Sequence, residues 1–399
     1  MSHFLLDLKF TLTNTIVAGK KNIGIKTMKM WLMIMYATLT ITGASLFYLC
    51  GRVGKFAIFK KSEKKSRIVR SALVVFGLFG VIGLTINFMN AIVCAIYFAM
   101  IWLVSDLLFY IAAKIRHRSF EKYYAGVFAV IASTVALSIG WYQDHHVWQT
   151  VYTVETDKEV KDIKIVMFAD SHTGTTFNAD GFVKHIEEMQ AQNPDMIVVA
   201  GDFVDDDTTR ADMIATSKAL GKMKTTYGVY FVLGNHDNGY YGAARRGFSG
   251  QEMVAELKKN GVRVLSDEAE LVGDIFYIIG RRDFSVERER GGRRKSMADL
   301  VKNLDKNRYV IVIDHQPADY DNQTKAGVDL VLSGHTHGGQ LFPFNRVGKW
   351  IGANDLIYGY EKRAKTDFIV TSGISDWAIK FKTGCKSEYV TVLLKRKKE

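Results

Sequence analysis

The sequence predicts an α/β protein in two unlike parts. An all-α transmembrane domain precedes a half built of two sheets packed face to face, with helices outside. Three observations carry the prediction. The first 146 residues hold four apolar stretches of membrane-spanning length, the remainder alternates short apolar runs with helical patterns, and five of those runs end in clusters of His, Asp, Asn and Gly.

A bilayer is crossed by about 20 consecutive apolar residues in a helix. Residues 31–50, 72–88, 91–113 and 125–141 meet that need or come close to it. Thirty residues precede the first stretch, and no small-residue cleavage site follows it, so it reads as a span rather than a signal peptide. Residues 87–90 leave room only for a tight turn, so the second and third spans form a helical hairpin. Asp106 is an acid inside a span near its end, where snorkelling or pairing within the bundle accounts for it.

Charge divides the chain as sharply as hydropathy does. The net formal charge of +12 is the sum of +13 over residues 1–122 and −1 over the rest. The basicity therefore belongs to the membrane part, and a near-neutral second half gives no reason to expect nucleic acid as a partner. Short basic loops stay on the cytoplasmic side. Arg52, Lys55, Lys60, Lys61, Lys64, Lys65, Arg67 and Arg70 lie between the first two spans, and Lys114, Arg116, Arg118 and Lys122 between the last two. Both loops are expected inside, so the second half emerges on the other side. Lys9, Lys20, Lys21, Lys26 and Lys29 conflict with that orientation unless the first span inserts incompletely. The expected organisation is a basic segment 1–30, a transmembrane domain 31–146, a linker 147–160 and a catalytic domain 161–399.

In the second half, the runs 163–169, 196–200, 229–233, 310–313 and 328–332 read as buried strands. Each is followed by a polar cluster: Asp170-Ser171-His172, Gly201-Asp202, Gly234-Asn235-His236-Asp237, Asp314-His315-Gln316-Pro317, and Ser333-Gly334-His335-Thr336-His337-Gly338-Gly339-Gln340. Open α/β sheets place their sites at the carboxyl ends of strands. Any single Asp or His in a loop is most simply a cap or a solvated side chain, but five such clusters together point to one site. Imidazole, carboxylate and amide oxygen together suit Mn, Fe or Zn. Helices are expected over 182–189, 211–223 and 253–258, with further strands over 262–265, 275–279, 368–371 and 389–394. His185 falls on the first helix and reads as a surface residue. His145 and His146 read as interfacial, and the lone Cys385 as a small core residue.

Taken in order, Asp170-Ser171-His172, Gly201-Asp202, Gly234-Asn235-His236-Asp237, His315 and Gly334-His335-Thr336-His337 resemble the motifs of calcineurin-like metallophosphoesterases. The resemblance covers roughly residues 160–395. Ser171 stands where the family usually has Leu, which leaves both ligands of the motif in place. The extended form ending in Gln340 is similar to the membrane-associated branch, which includes UDP-diacylglucosamine pyrophosphatase-like and related bacterial envelope enzymes.

The resemblance implies a four-layer metallophosphoesterase-type β-sandwich flanked by helices, holding two divalent ions. One ion would take Asp170, His172, Asp202 and His337. The other would take Asp202, Asn235, His315 and His335, with Asp202 bridging. A hydroxide between ions about 3.5–4 Å apart would attack a phosphoester or pyrophosphate in line. His236 would protonate the leaving oxygen, with Asp237 fixing its tautomer. Substrate contacts are expected from Tyr240, Arg245 and Arg246 after the third motif, and from Phe342 after the last. The arginine-rich stretch 280–295 suits either phosphate recognition or a solvated loop. Aromatics and Arg beside a membrane point to a lipid or lipid-linked phosphate, with membrane lipids as partners and no obligate protein partner. Soluble nucleotides or phosphoproteins are the alternative substrates. A non-catalytic membrane sensor or transporter is the alternative class, against which stand spans nearly devoid of charge and an intact ligand set.

Overall fold

Side chains that are apolar on every face turn the first part of the chain into long helices. The computed structural model describes residues 21–60, 62–288 and 291–397. These fall into two units, Met1–Gly140 and Trp141–Glu399. Residues 1–20, and with them most of the expected basic segment, lie outside the described residues. The four principal helices are α1 Lys21–Val53, α2 Lys64–Thr85, α3 Phe88–Ile115 and α4 Tyr124–His145. All four are long and apolar enough to cross a membrane. A two-residue turn at Ile86–Asn87 joins α2 to α3, and the Asn87 side chain caps α3 by accepting from the Asn90 N–H at 2.9 Å. Asp106 is paired rather than snorkelling. Arg52 Nε lies 2.9 Å from its carboxylate, and the Tyr48 and Tyr123 hydroxyls donate to it at 2.8 and 2.9 Å. Such a full set of partners offsets the cost of placing a carboxylate among apolar helices.

The second unit is a four-layer sandwich. With β1 at Val147–Thr156, β5 at Arg263–Val264, β6 at Glu268–Val272, β10 at Gly359–Arg363, β11 at Thr366–Val370 and β12 at Ser387–Arg396, one sheet has the strand order β1-β12-β2-β3-β4-β5 and the other β10-β11-β9-β8-β7-β6. The central strands are β2 Ile163–Phe168, β3 Met196–Val199 and β4 Val229–Phe231 in the first sheet, and β7 Phe276–Gly280, β8 Tyr309–Ile313 and β9 Leu330–Ser333 in the second. Their alternate side chains serve two cores. Ile163, Ile165, Met167, Met196 and Val198 meet Ile278, Ile311, Ile313, Leu330 and Leu332 between the sheets. Val166, Phe168, Ile197, Val199 and Phe231 face outward beneath the helices α5 Ala179–Gln190, α6 Arg210–Gly221 and α7 Gly250–Lys259. On the far side, α8 Met297–Val301 and α9 Tyr320–Ala326 cover Val310, Val312 and Val331. Burial on both faces is why these strands read as uninterrupted apolar runs.

The expected linker is instead a strand. β1, Val147–Thr156, pairs in parallel with β12, Ser387–Arg396, over ten residues. It escapes a hydrophobicity reading because it is an edge strand whose alternate residues face outward. The same holds for β6 Glu268–Val272 and β10 Gly359–Arg363, the two edges of the second sheet. α4 also runs on past residue 141, so Asp144 lies on the same helix as the fourth apolar stretch, and that carboxyl is fully buried.

Candidate metal centre

Five parallel strands deliver the predicted residues to one place. The loop after β2 carries Asp170 and His172, that after β3 Asp202, that after β4 Asn235 and His236, that after β8 His315, and that after β9 His335 and His337. Backbone hydrogen bonds knit the loops together: Asp170 N–H donates to Gly201 C=O, His172 N–H to Asp202 C=O and Gly334 N–H to His315 C=O, at 3.0–3.1 Å. Asp170, His172, Asp202, His335 and His337 all adopt positive φ, between 36° and 73°. Non-glycine residues take that conformation at a cost of order 1–3 kcal/mol each, and it persists only where the surroundings enforce it. Two glycines are required by close approach. A Cβ on Gly234 would overlap the Asp202 carboxylate, and one on Gly334 would lie 2.7 Å from Asp170 Oδ2.

The donors gather in two adjoining groups. Ligand atoms of Asp170, His172 and His337 lie within 4.8 Å of one another, as do those of Asp202, His315 and His335. His315 Nε2 stands 3.1 Å from Asp202 Oδ2 and 3.2 Å from Asn235 Oδ1, while His172 Nε2 lies 3.8 Å from the same Asp202 oxygen. Asp202 thus lies between the two groups. His172 Nε2 is buried with no hydrogen-bond partner. A buried imidazole nitrogen left without a proton partner among carboxylates is what a cation would satisfy. Three histidines also spend Nδ1 elsewhere: His172 on Asp205 Oδ2 at 2.9 Å, His315 on Ala200 C=O at 2.6 Å and His337 on Ser375 C=O at 3.2 Å. That outer layer orients each Nε2 toward the centre. The residues fit a metal-binding centre.

Electrostatics agree with the geometry. Burial pushes His335 down to about 4, helped by neighbouring His315, and holds His337 well below its usual range, so both are neutral donors. Burial also opposes charge on His236, but the Asp205 and Asp202 carboxylates outweigh it and raise that imidazole to about 10.

Two predicted roles are corrected by the contacts. Asp237 does not orient His236. Its carboxylate accepts the backbone N–H groups of Asp202, Phe203, Val204 and Gly234 at 2.7–3.2 Å, so it shapes the loops that present Asp202 and Asn235. The residue facing His236 Nδ1 is Asp205, at 3.3 Å, which shares its other oxygen with His172. Asp205 opens a run of three acids that reads as a solvated turn. Its spacing three residues after Asp202 is the only trace of its role in the chain. Arg246 is no substrate contact. It is buried and donates to the carbonyls of Asp237 and Phe248 at 2.7 and 3.1 Å. Arg245 stays partly exposed, with Asp207 at 2.6 Å and over the Tyr241 ring.

Tyr240 does reach the site. Its ring packs edge-on against His236, its hydroxyl accepts from Asn235 Nδ2 at 2.9 Å, and its backbone N–H donates to Asp206. Phe342 is exposed on the segment after the last motif. The arginine stretch is neither one thing nor the other: Arg281 and Arg294 are buried on Asp314, beside His315, while Arg282, Arg293 and Lys295 face solvent. Arg290 lies outside the described residues. His185 is a surface residue hydrogen-bonded to Glu188. Cys385 packs under the last motif with its thiol toward His337 C=O, and burial raises it to about 11.

Carboxylates, imidazoles and an amide converging at the ends of parallel strands define a class of metal-dependent phosphoesterases. The chain belongs to the calcineurin-like phosphoesterase family, whose model matches residues 163–339. An uncharacterised metallophosphoesterase of Aquifex aeolicus is 35% identical over 195 residues, covering 48% of this chain and 70% of that protein. One from Campylobacter jejuni is 28% identical over 311 residues, 76% of this chain and 79% of the other. A Danio rerio relative, named as a transmembrane protein with a metallophosphoesterase domain, is 27% identical over 249 residues, with the match spanning 60% of this chain and 54% of that one. This protein is a metal-dependent phosphoesterase.

Proposed function

We propose that the chain is a membrane-anchored phosphohydrolase with two divalent ions, cleaving a phosphoester or pyrophosphate of a lipid or lipid-linked envelope precursor. The observation that carries the catalytic reading is the convergence of Asp170, His172 and His337 with Asp202, His315 and His335 around the unpartnered His172 Nε2. Asp170, His172, Asp202 and His337 would hold one ion, and Asp202, Asn235, His315 and His335 the other, with Mn, Fe or Zn matching the donor set. When bound, such ions polarise phosphoryl oxygens and lower the pKa of water. His236 keeps Nδ1 on Asp205 and its proton at neutral pH, so its Nε2 is the atom left to protonate a leaving oxygen. Tyr240 holds Asn235 and the His236 ring in place.

Membrane anchoring rests on the four apolar helices and on relatives named as transmembrane proteins. The lipid reading is supported by apolar surface after the last motif, where Phe342, Phe344, Trp350 and Ile351 are between 51% and 72% exposed. Membrane lipids are the partners this implies.

The test is the Asp202→Asn enzyme, purified at full length in detergent. Metal content is measured alongside hydrolysis of bis(p-nitrophenyl) phosphate. The expected result is loss of bound metal and a fall of several orders of magnitude in kcat/KM. Unchanged metal and turnover would overturn the assignment.

A further inference from the structure

Beside the metal centre, the arginine stretch builds a pocket of its own. A cavity of about 450 Å³ is lined by Ser266, Asp267, Arg282, Arg293, Arg294 and Lys295. Four cations face one carboxylate there, and that carboxylate is turned to the backbone: Asp267 accepts the N–H groups of Arg282 and Lys295 at 3.0 and 2.9 Å. It ties the two cation-bearing segments side by side. Arg294 is spent on Asp314, with two contacts at 3.0 Å, and on the Arg282 carbonyl. Arg282 gives one nitrogen to the Arg293 carbonyl at 3.1 Å. Arg282, Arg293 and Lys295 are exposed, and no ion pair among the described residues engages their side chains. Like charges lining one pocket repel one another, so the arrangement favours an anion.

The pocket follows a strand next to one that carries the centre. Gly280 at the end of β7 pairs with Ile313 at the end of β8, and Arg281 N–H donates to Ile313 C=O at 3.0 Å. Arg282 and His315 therefore each lie two residues beyond a paired position, on the adjoining loops that leave neighbouring strands. Asp283 and Gln316 cross-link the two loops at 2.9 Å. A pocket of guanidinium forks there suits a phosphoryl group, which they can meet with paired hydrogen bonds.

We infer that this pocket is a subsite for a second phosphoryl group of the substrate. The enzyme then acts on molecules carrying one phosphoryl group at the metal centre and another a short spacer away. The inference rests on the hydrolase reading above for what happens at the centre, but the binding itself does not depend on turnover.

The test compares wild type with the triple variant Arg282→Gln, Arg293→Gln, Lys295→Gln. All three side chains are exposed, so the fold is spared. Hydrolysis of bis(p-nitrophenyl) phosphate reads the centre and is expected to stay within about twofold. Inhibition by propane-1,3-diol bisphosphate is compared with inhibition by the monophosphate, and binding of both is measured by titration calorimetry. Wild type is expected to prefer the bisphosphate by about tenfold or more, the worth of one charge-assisted hydrogen bond, and the variant to lose that preference. No preference in wild type, or one that survives in the variant, overturns the subsite. Absent hydrolysis with intact, variant-sensitive bisphosphate binding would overturn the hydrolase reading alone. Phosphatidylinositol 4-phosphate in micelles separates the sources. A greater loss of binding there than for the soluble bisphosphate assigns the pocket to a lipid headgroup, and an equal loss assigns it to phosphate at large.

Discussion

Asp205 and Asp237 are both buried acids near the centre, and their contacts give them different work. Asp205 holds the imidazoles of His172 and His236 through its two oxygens, so Asp205→Asn leaves the backbone intact while weakening the hold on both rings. Orienting partners of this kind are worth roughly 10–100-fold in activity or metal affinity. The variant is expected to lose that much kcat with thermal unfolding little changed. Asp237→Asn removes an acceptor shared among four backbone N–H groups, and should cost about 2–3 kcal/mol of stability before activity is considered. Steady-state kinetics together with thermal denaturation separate the two, and the reverse pattern would return the orienting role to Asp237. Asp205 could be found in the sequence only by its offset from Asp202, because three consecutive acids ordinarily make a hydrated turn. Arg246 misleads in the opposite way. An arginine in a loop after a motif looks available, but the loop folds over it and consumes its donors.

At the scale of elements, β1 most changes the organisation read from composition. Its outward positions, Gln149, Val151, Thr153 and Glu155, are exposed, and on the inward face Trp148, Thr150 and Tyr152 are only partly covered, so it shows no apolar run to distinguish it from a connector. Its ten-residue pairing with β12 and the burial of Val147 and Val154 nevertheless make it part of the sandwich. A fragment 141–399 is expected to fold as a soluble domain, whereas one cut at the apparent linker, 157–399, loses a strand and exposes β12. The loss is on the order of 5 kcal/mol from pairing and apolar burial, against a typical domain total of about 5–15 kcal/mol. Circular dichroism melts and solubility of the two fragments check this. Equal stability would mean β1 is dispensable. The central strands were legible because helices and the opposite sheet bury both of their faces. Helix positions were legible from the spacing of Phe182, Ile186 and Met189, and Asn178 caps that helix by accepting from the Gly181 N–H.

For the molecule as a whole, we propose from the distribution of Lys and Arg that the catalytic unit lies outside the cytoplasm. An epitope at the C-terminus should be lost when intact cells are treated with protease, without lysis. Protection until lysis would reverse the orientation and direct attention to cytoplasmic phosphoesters.

By itself the sequence determined the four apolar helices, the alternation that makes an α/β sandwich, and the seven candidate ligands. Each is a local property: a run of side chains chooses its own backbone, and small motifs at strand ends carry their donor chemistry with them. Only the tertiary structure decided which acid faces His236, which arginines are spent inside the protein, and that residues 147–156 close a sheet. Those outcomes depend on which side chains meet across loops distant in sequence. A carboxylate or guanidinium is written identically whether it faces water or a buried partner.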